Sequence, residues 1–299
     1  MRLRDTEVVD TFAEAFPMHG ARIVITADSE AWALEAARSA TGFATSVIGC
    51  KCEAGLERAL TPEQTPDARP GVSILLFAMR HDDLAKRVVE RVGQCVMTCP
   101  TTACFDGLPT AAARVPCGAA LRHFADGFQA SKVVAGRRYW RIPVMDGEFL
   151  VEESLGIVEG VGGGNLILSG ADAPAALACA QAAAAACRTV PGVVLPFPGG
   201  IVRSGSKVGS RRGRLPASTN DALAPTLRVQ APRTLVGADT GSVLEIVIDG
   251  LSFEAVQAAM RAGLHAAADA GAQQVTAGNY GGDLGPFHLH LRDLLDRPA

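Results

Sequence analysis

In this chain of 299 residues one carboxylate is set apart by its surroundings. Glu245 is the only acid in the aliphatic run Val243-Leu244-Glu245-Ile246-Val247-Ile248. Strand alternation puts it on one face with Val243 and Val247. Loss of water there raises a carboxyl pKa towards neutrality, which suits a group that must take up and release a proton. A solvated glutamate on an edge strand is the competing reading. Asn279 and Tyr280 follow in TAGNYGG at 276–282. An asparagine amide can donate to a carbonyl oxygen, and a tyrosine hydroxyl can donate or relay a proton. Both residues also suit the tight turns that Gly278 and the Gly281-Gly282 pair favour by themselves.

Residues 196–210, PFPGGIVRSGSKVGS, suit a different task, the holding of an anion. Glycine permits close backbone approach, Arg203 and Lys207 supply charge, and Ser204 and Ser206 supply hydroxyls. A solvated surface loop is the bland alternative. Residues 200–207 nearly match G-x-x-x-x-G-K-[ST], but the lysine and the hydroxyl are exchanged. Gly209, Gly213 and Pro216 leave no helix to follow, so a nucleotide-hydrolysing loop is set aside.

Metal chemistry finds little support in the pattern. Of the eight cysteines, Cys50-Lys51-Cys52 and the Cys95, Cys99, Cys104 series lack the C-x2-C pairs of zinc and iron–sulfur sites. Cys50, Cys95, Cys179 and Cys187 sit in apolar runs, where a thiol behaves as a small hydrophobe. His288 and His290 alternate on an apparent terminal strand with no third ligand near them. No metal and no nucleotide are expected.

The composition narrows the class further. A net charge of -3 argues against nucleic acid as a general partner. The opening MRLRDTEVVDTFAEAF carries acids and has no apolar core, unlike a secretory signal. Residues 171–187 are mostly alanine and contain Asp172, Pro174 and Gln181, too weakly apolar to span a bilayer. The expectation is a cytoplasmic protein with reduced cysteines and no membrane partner.

These residues need elements to position them, and the two halves of the chain repeat one order. The first half predicts strand 22–26, helix 29–40, strand 43–48, strand 72–79, helix 82–92 and strand 94–98. The second predicts strand 165–168, helix 173–188, strand 192–196, strand 243–248, helix 252–270 and strand 273–276. Each half reads βαββαβ, the split unit with a four-stranded antiparallel sheet and both helices on one face. The fold expected is α+β: two related ferredoxin-like lobes, 1–150 and 151–299. An insertion at 105–163 carries a hairpin at 132–134 and 138–142. Aligned position for position, residues 42–55 correspond to 192–205. A cleft between two such lobes is a natural ligand site, with the 196–210 loop as one wall.

Six blocks add a resemblance that runs through nearly the whole chain. They are DTFAEAFPM at 10–18, ATGFATSVI at 40–48, QCVMTCPTTACFDG at 94–107, DGEFLVEESLG at 146–156, PFPGGIVRSGSKVGS at 196–210 and TAGNYGGDLG at 276–285. Together they resemble the formylmethanofuran:tetrahydromethanopterin formyltransferase family. The resemblance implies two related α+β lobes. It also implies formyl transfer between the amine of methanofuran and N5 of tetrahydromethanopterin, with these carriers as co-substrates and no metal, flavin or nucleotide.

Such a transfer passes through a tetrahedral adduct, so it needs a proton carrier and donors for the oxyanion. On the resemblance Glu245 is the carrier, with Asn279 and Tyr280 beside the reacting group. Arg203, Ser204, Ser206 and Lys207 anchor an acidic tail. Phe16, Met18 and Phe43 stack against pterin or furan unless they belong to the core. Thr98, Thr101 and Thr102 offer hydroxyls in the first lobe.

PMHGARI at 17–23 departs from the archaeal pattern, which tends to carry a bulkier aromatic in place of His19. With a composition that lacks strong acidity, the chain looks more like the bacterial form found in methylotrophs. That form is similar to the transferase subunit of a formyltransferase/hydrolase complex whose partner subunits release formate. The implied direction is towards formate, and the implied assembly a homo-oligomer or a complex with hydrolase subunits. A non-catalytic pterin-binding scaffold, or another tetrahydromethanopterin-dependent one-carbon enzyme, stays open at this point.

Overall fold

Three of the longer helices start on the side-chain caps that their sequences offer. Ser29 accepts from the Trp32 amide at 3.3 Å, Asp172 from Ala175 at 2.8 Å and Ser252 from Ala255 at 3.2 Å. These open the helices Glu30–Thr41, Ala173–Cys187 and Phe253–Asp269. A fourth helix, His81–Arg91, carries Asp82 and Asp83 in its first turn and Arg91 in its last, as the helix dipole favours. The computed structural model describes residues 1–211 and 213–296. Arg212 of the long loop, and 297–299 at the end of the expected second lobe, lie outside the described residues. Two units emerge, Met18–Gly160 and Met1–Pro17 with Val161–Ala299.

In the unit Met18–Gly160, residues 19–26 of the strand Phe12–Thr26 run antiparallel to Gly71–Ala78 on one side and Ala103–Asp106 on the other. Glu53–Leu60 pairs antiparallel on the outer side of Gly71–Ala78. Numbered by position in the repeat, the strand order is fourth, first, third, second. Ile23, Ile25, Ile74 and Leu76 share one buried core with Ala33, Ala36, Ala37 and Ala40 of the first helix and Leu84 and Val88 of the next. The expected hairpin is present as Ala130–Val134 and Arg137–Val144. It lengthens the same sheet through Gly147–Glu152, which lies parallel to Ala103–Asp106.

Two expected strands of this unit are not strands. Residues 43–46 are irregular and Val47–Cys50 forms one helical turn, capped by Ser46 through the Ile48 amide. Phe43 and Lys51 adopt left-handed backbone (φ 47° and 68°), which interrupts an extended run, and Glu53 accepts from the Val47 amide at 3.0 Å. The strand begins only at Glu53. Residues 94–98 likewise prolong the preceding helix: Val92–Val96 is a π turn, in which Met97 donates to the Val92 carbonyl at 2.8 Å. The strand is Ala103–Asp106 instead.

The second unit repeats the order. Val193–Val194, Ser242–Gly250, the last residues of Leu155–Gly170 and Gln274–Thr276 stand side by side and antiparallel. Its core joins Leu166, Leu168, Ile246 and Ile248 to the small residues Ala180, Ala183, Ala184, Cys187 and Ala259 of the two helices. The helices meet so closely that a side chain on Gly263 would lie 2.6 Å from the Cys187 sulfur. The N-terminal segment belongs here: Thr6–Val8 lies parallel to Gln274–Thr276, and Phe287–His290 runs antiparallel along residues 12–15.

A bulge lies between Val161 and Gly164, where the pairing with Ser242–Gly250 shifts register. Gly163 takes φ +87° there, and a Cβ on it would sit 2.7 Å from the Phe16 ring. Among the described residues no helix is long and apolar enough to cross a membrane.

Candidate active site

Alternation along Ser242–Gly250 separates two chemistries. Ile246 and Ile248 enter the core, Val243 and Glu245 line a cavity of about 170 Å³, and Leu244 both packs against the core and borders that cavity. The loop is fastened to this strand at one point. Val202 donates to the Glu245 carbonyl at 2.7 Å and accepts from the Glu245 amide at 3.0 Å. That pair of bonds sets Arg203, Ser204 and Ser206 on the cavity wall, with Tyr280 joining from the turn. The Arg203 guanidinium has no carboxylate partner among the described residues. The phosphate-loop geometry is absent, since Ser206–Val208 is a strand of a small hairpin with Ala217–Thr219.

Glu245 is partly buried, and burial pushes its carboxyl above the usual range. A hydrogen bond from Asn165 Nδ2 to Oε1 at 2.8 Å pulls in the other direction without reversing the shift. The Tyr280 hydroxyl is also raised, first by burial and then by the charges of Glu245 and Glu14. Both groups hold their protons more tightly than in water.

The turn bearing Tyr280 is held by Glu14, which is 1% exposed. Its Oε1 accepts from the Tyr280 and Gly282 amides at 2.6 Å each, and its Oε2 from Leu284 at 2.8 Å. Burial alone would raise this carboxyl. The amides of Gly282, Leu284 and Tyr280, with His288 close by, outweigh that and leave it below the usual range. Asn279 points elsewhere: exposed, it donates to Thr11 at 3.3 Å and accepts from the Gly281 amide at 2.9 Å. Lys207 pairs with Asp221, which Arg211 shares at 2.8 Å, and lines a second cavity of about 280 Å³.

The remaining sequence candidates have separate settings. Phe16, partly buried, packs where Gly163 and Gly285 leave room for its ring and Cβ. Met18 is buried at 2% exposure, whereas Phe43 is 82% exposed. Thr98 donates to the Gln94 carbonyl and lines a cavity of about 750 Å³ with Met97, Cys99 and Met145. Thr101 is left-handed (φ 64°), its amide donating to Asp146 at 2.8 Å and its hydroxyl accepting from Asp28 at 3.2 Å. Thr102 is buried and donates to the Val96 carbonyl. Met18, Phe43, Thr98, Thr101 and Thr102 all belong to the unit Met18–Gly160. Sequence reasoning singled out neither Asn165 nor Glu14. The available signals were an amide opening an apolar strand after three glycines and an acid alternating with Ala13 and Ala15.

Comparison with known proteins settles the family. The model of formylmethanofuran-tetrahydromethanopterin formyltransferase matches residues 1–144, and the model of that family's proximal lobe matches residues 147–294. The chain belongs to this formyltransferase family. The formylmethanofuran–tetrahydromethanopterin formyltransferase of Methylococcus capsulatus is 54% identical, over 99% of this chain and 100% of its own.

Among solved structures, the formyltransferase/hydrolase complex of Methylorubrum extorquens with methylofuran contains a similar chain. It matches at 51% identity and a TM-score of 0.96, covering 100% of this chain and 99% of that one. The formyltransferase of Methanosarcina barkeri matches at 44% identity and a TM-score of 0.94, over 98% and 100%. As a member of the formyltransferase family this chain is an enzyme. Its fold is the mixed α/β, two-lobed fold of those relatives.

Proposed function

We propose that this formyltransferase moves a formyl group between the amine of methanofuran, or a methanofuran analogue, and N5 of tetrahydromethanopterin. Both carriers are bound together and no covalent acyl-enzyme forms. The attacking amine adds to the formyl carbon and the carbonyl oxygen becomes an oxyanion. The bond to the donor nitrogen then breaks as that nitrogen gains a proton. Glu245 takes the proton from the attacking amine and returns one to the leaving nitrogen. Tyr280, which lines the cavity, donates to the oxyanion, a donor of this kind being worth about 10²–10³ in rate, while Asn279 holds the turn through Thr11 and Gly281.

One observation carries this reading: a partly buried carboxylate with a raised pKa shares a cavity with Tyr280 and a guanidinium that has no carboxylate partner among the described residues. Arg203, Ser204 and Ser206 bind carboxylates of the carriers there, with Lys207 and its neighbouring cavity extending the anionic tail's path. The exposed Phe43 ring offers a stacking surface for furan or pterin, whereas Met18 is buried and Phe16 packs against Gly163 and Gly285. Thr98 and Thr101 hydrogen-bond polar edges.

The strand order fourth, first, third, second in both units supports reading each lobe as ferredoxin-like. The matched spans 1–144 and 147–294 support a division in sequence at 1–150 and 151–299. Eight free cysteines suit a cytoplasmic setting. The relative in the formyltransferase/hydrolase complex supports assembly with hydrolase subunits, and with it a flux towards formate in a methylotroph.

The purified chain is mixed with formylmethanofuran and tetrahydromethanopterin. Transfer without release of formate is expected, and hydrolysis instead would count against the proposal. Glu245→Gln lowers the transfer rate at least about tenfold while leaving the circular dichroism unchanged. A fully active E245Q removes the assigned role.

A further inference from the structure

We infer that Asn165 is a positioning residue for this reaction: its single amide group ties the Glu245 carboxylate to the turn that carries Tyr280 and fixes both against one strand. The inference rests on the reading of Glu245 as proton carrier and deepens it.

The geometry leaves the amide one orientation. The Gly278 backbone N–H can only donate, and it meets Asn165 Oδ1 at 2.8 Å. The other end of the amide is therefore the NH2 group, and it faces Glu245 Oε1 at 2.8 Å. Asn165 is 5% exposed, so neither bond competes freely with water.

Pairing register explains how one side chain reaches both partners. Ile167 stands opposite Glu245 on one neighbouring strand and opposite Thr276 on the other. Asn165, two residues back on the same face, is thus diagonal to Glu245 and level with the residue two beyond Thr276, which is Gly278. A Cβ at 278 would lie 2.6 Å from the Asn165 Nδ2, so a larger residue there has to displace the amide. The bulge between Val161 and Gly164 ends immediately before Asn165, the kind of local twist that re-aims a side chain. Glu14 fixes the far side of the same turn through Tyr280, Gly282 and Leu284. Carrier, amide, turn and buried clamp form one chain of contacts.

A purely structural asparagine and a positioning one differ in how rate depends on pH. Arg203 and the neutral Tyr280 line the same cavity as Glu245, Glu14 clamps the turn that carries Tyr280, and all three are unchanged in the variants. Asn165→Asp keeps the shape and the bond from Gly278 but sets a carboxylate oxygen against Glu245. The acidic limb of kcat/KM then moves to higher pH by about one unit or more, because two carboxylates share the contact. Asn165→Ala removes the donor that favours the ionised form and moves the limb the same way by less. A wild-type limb in a folded N165D, or in N165A where N165D does not purify, overturns the inference, as does a loss uniform across pH.

The double variant N165D/E245Q exchanges acid and amide. At pH 8 it is expected to recover most of the melting temperature that N165D loses, and no recovery overturns the contact. A fully active E245Q defeats the proton-carrier reading and leaves only the contact standing, since the melting comparison tests the contact without activity.

Discussion

Glu245 is held in a state that the folded protein penalises. Its pKa is raised by burial, so between the unfolded and the folded value the native state binds the extra proton. Stability therefore falls as pH rises through that interval, and above it the ionised carboxylate is a standing cost. Glu245→Gln is expected to melt at or above the wild-type temperature at pH 8, with the gap closing on acidification. Calorimetry across pH checks this, and a gap that widens towards low pH would refute it. Glu14 has the opposite sign: its pKa is lowered, so its contribution is present above the unfolded value and lost as pH falls through the folded one.

The two acids were unequally legible. Glu245 announces itself as a lone charge among aliphatics. Glu14 and Asn165 acquire meaning only through partners 266 to 270 and 80 to 113 residues away in sequence. No local window contains those bonds.

Among the elements, the helices were the readable part, because caps and length are local. The boundaries of the helices Glu30–Thr41, Ala173–Cys187 and Phe253–Asp269 fall within one or two residues of the expected ones. Strands fared worse where an apolar run had a second use. Residues 43–48 are spent on a capped turn and 94–98 on a helix end, while the strand Glu53–Leu60 hides behind charges at Glu57 and Arg58. Alanine richness also conceals which face of Ala173–Cys187 is inside, and packing answers that. The contact with Phe253–Asp269 admits hydrogen alone at 263, so Gly263→Val is expected to cost about 1–3 kcal/mol. A lowered denaturation midpoint at unchanged m-value measures it, and an unshifted midpoint contradicts the close approach.

At the scale of the whole molecule, Met1–Pro17 completes the unit that contains the candidate site. It pairs with Gln274–Thr276 and Phe287–His290 and supplies Glu14. A chain beginning at Met18 is expected to lose transfer activity and amide protection across 274–290, while Gly71–Ala78 keeps its protection. Hydrogen exchange by residue distinguishes that outcome from general unfolding. The same arrangement sets a timetable for synthesis. The ribosome delivers Glu14 first and the amides that it clamps last, separated by more than 260 residues of elongation. At cellular rates that interval is on the order of tens of seconds. The segment Met18–Gly160 can fold within it, but the N-terminal strand must wait with its carboxylate uncommitted. The pocket around Glu245 is closed only when the turn at 276–284 has emerged, so no shorter nascent chain holds the complete site.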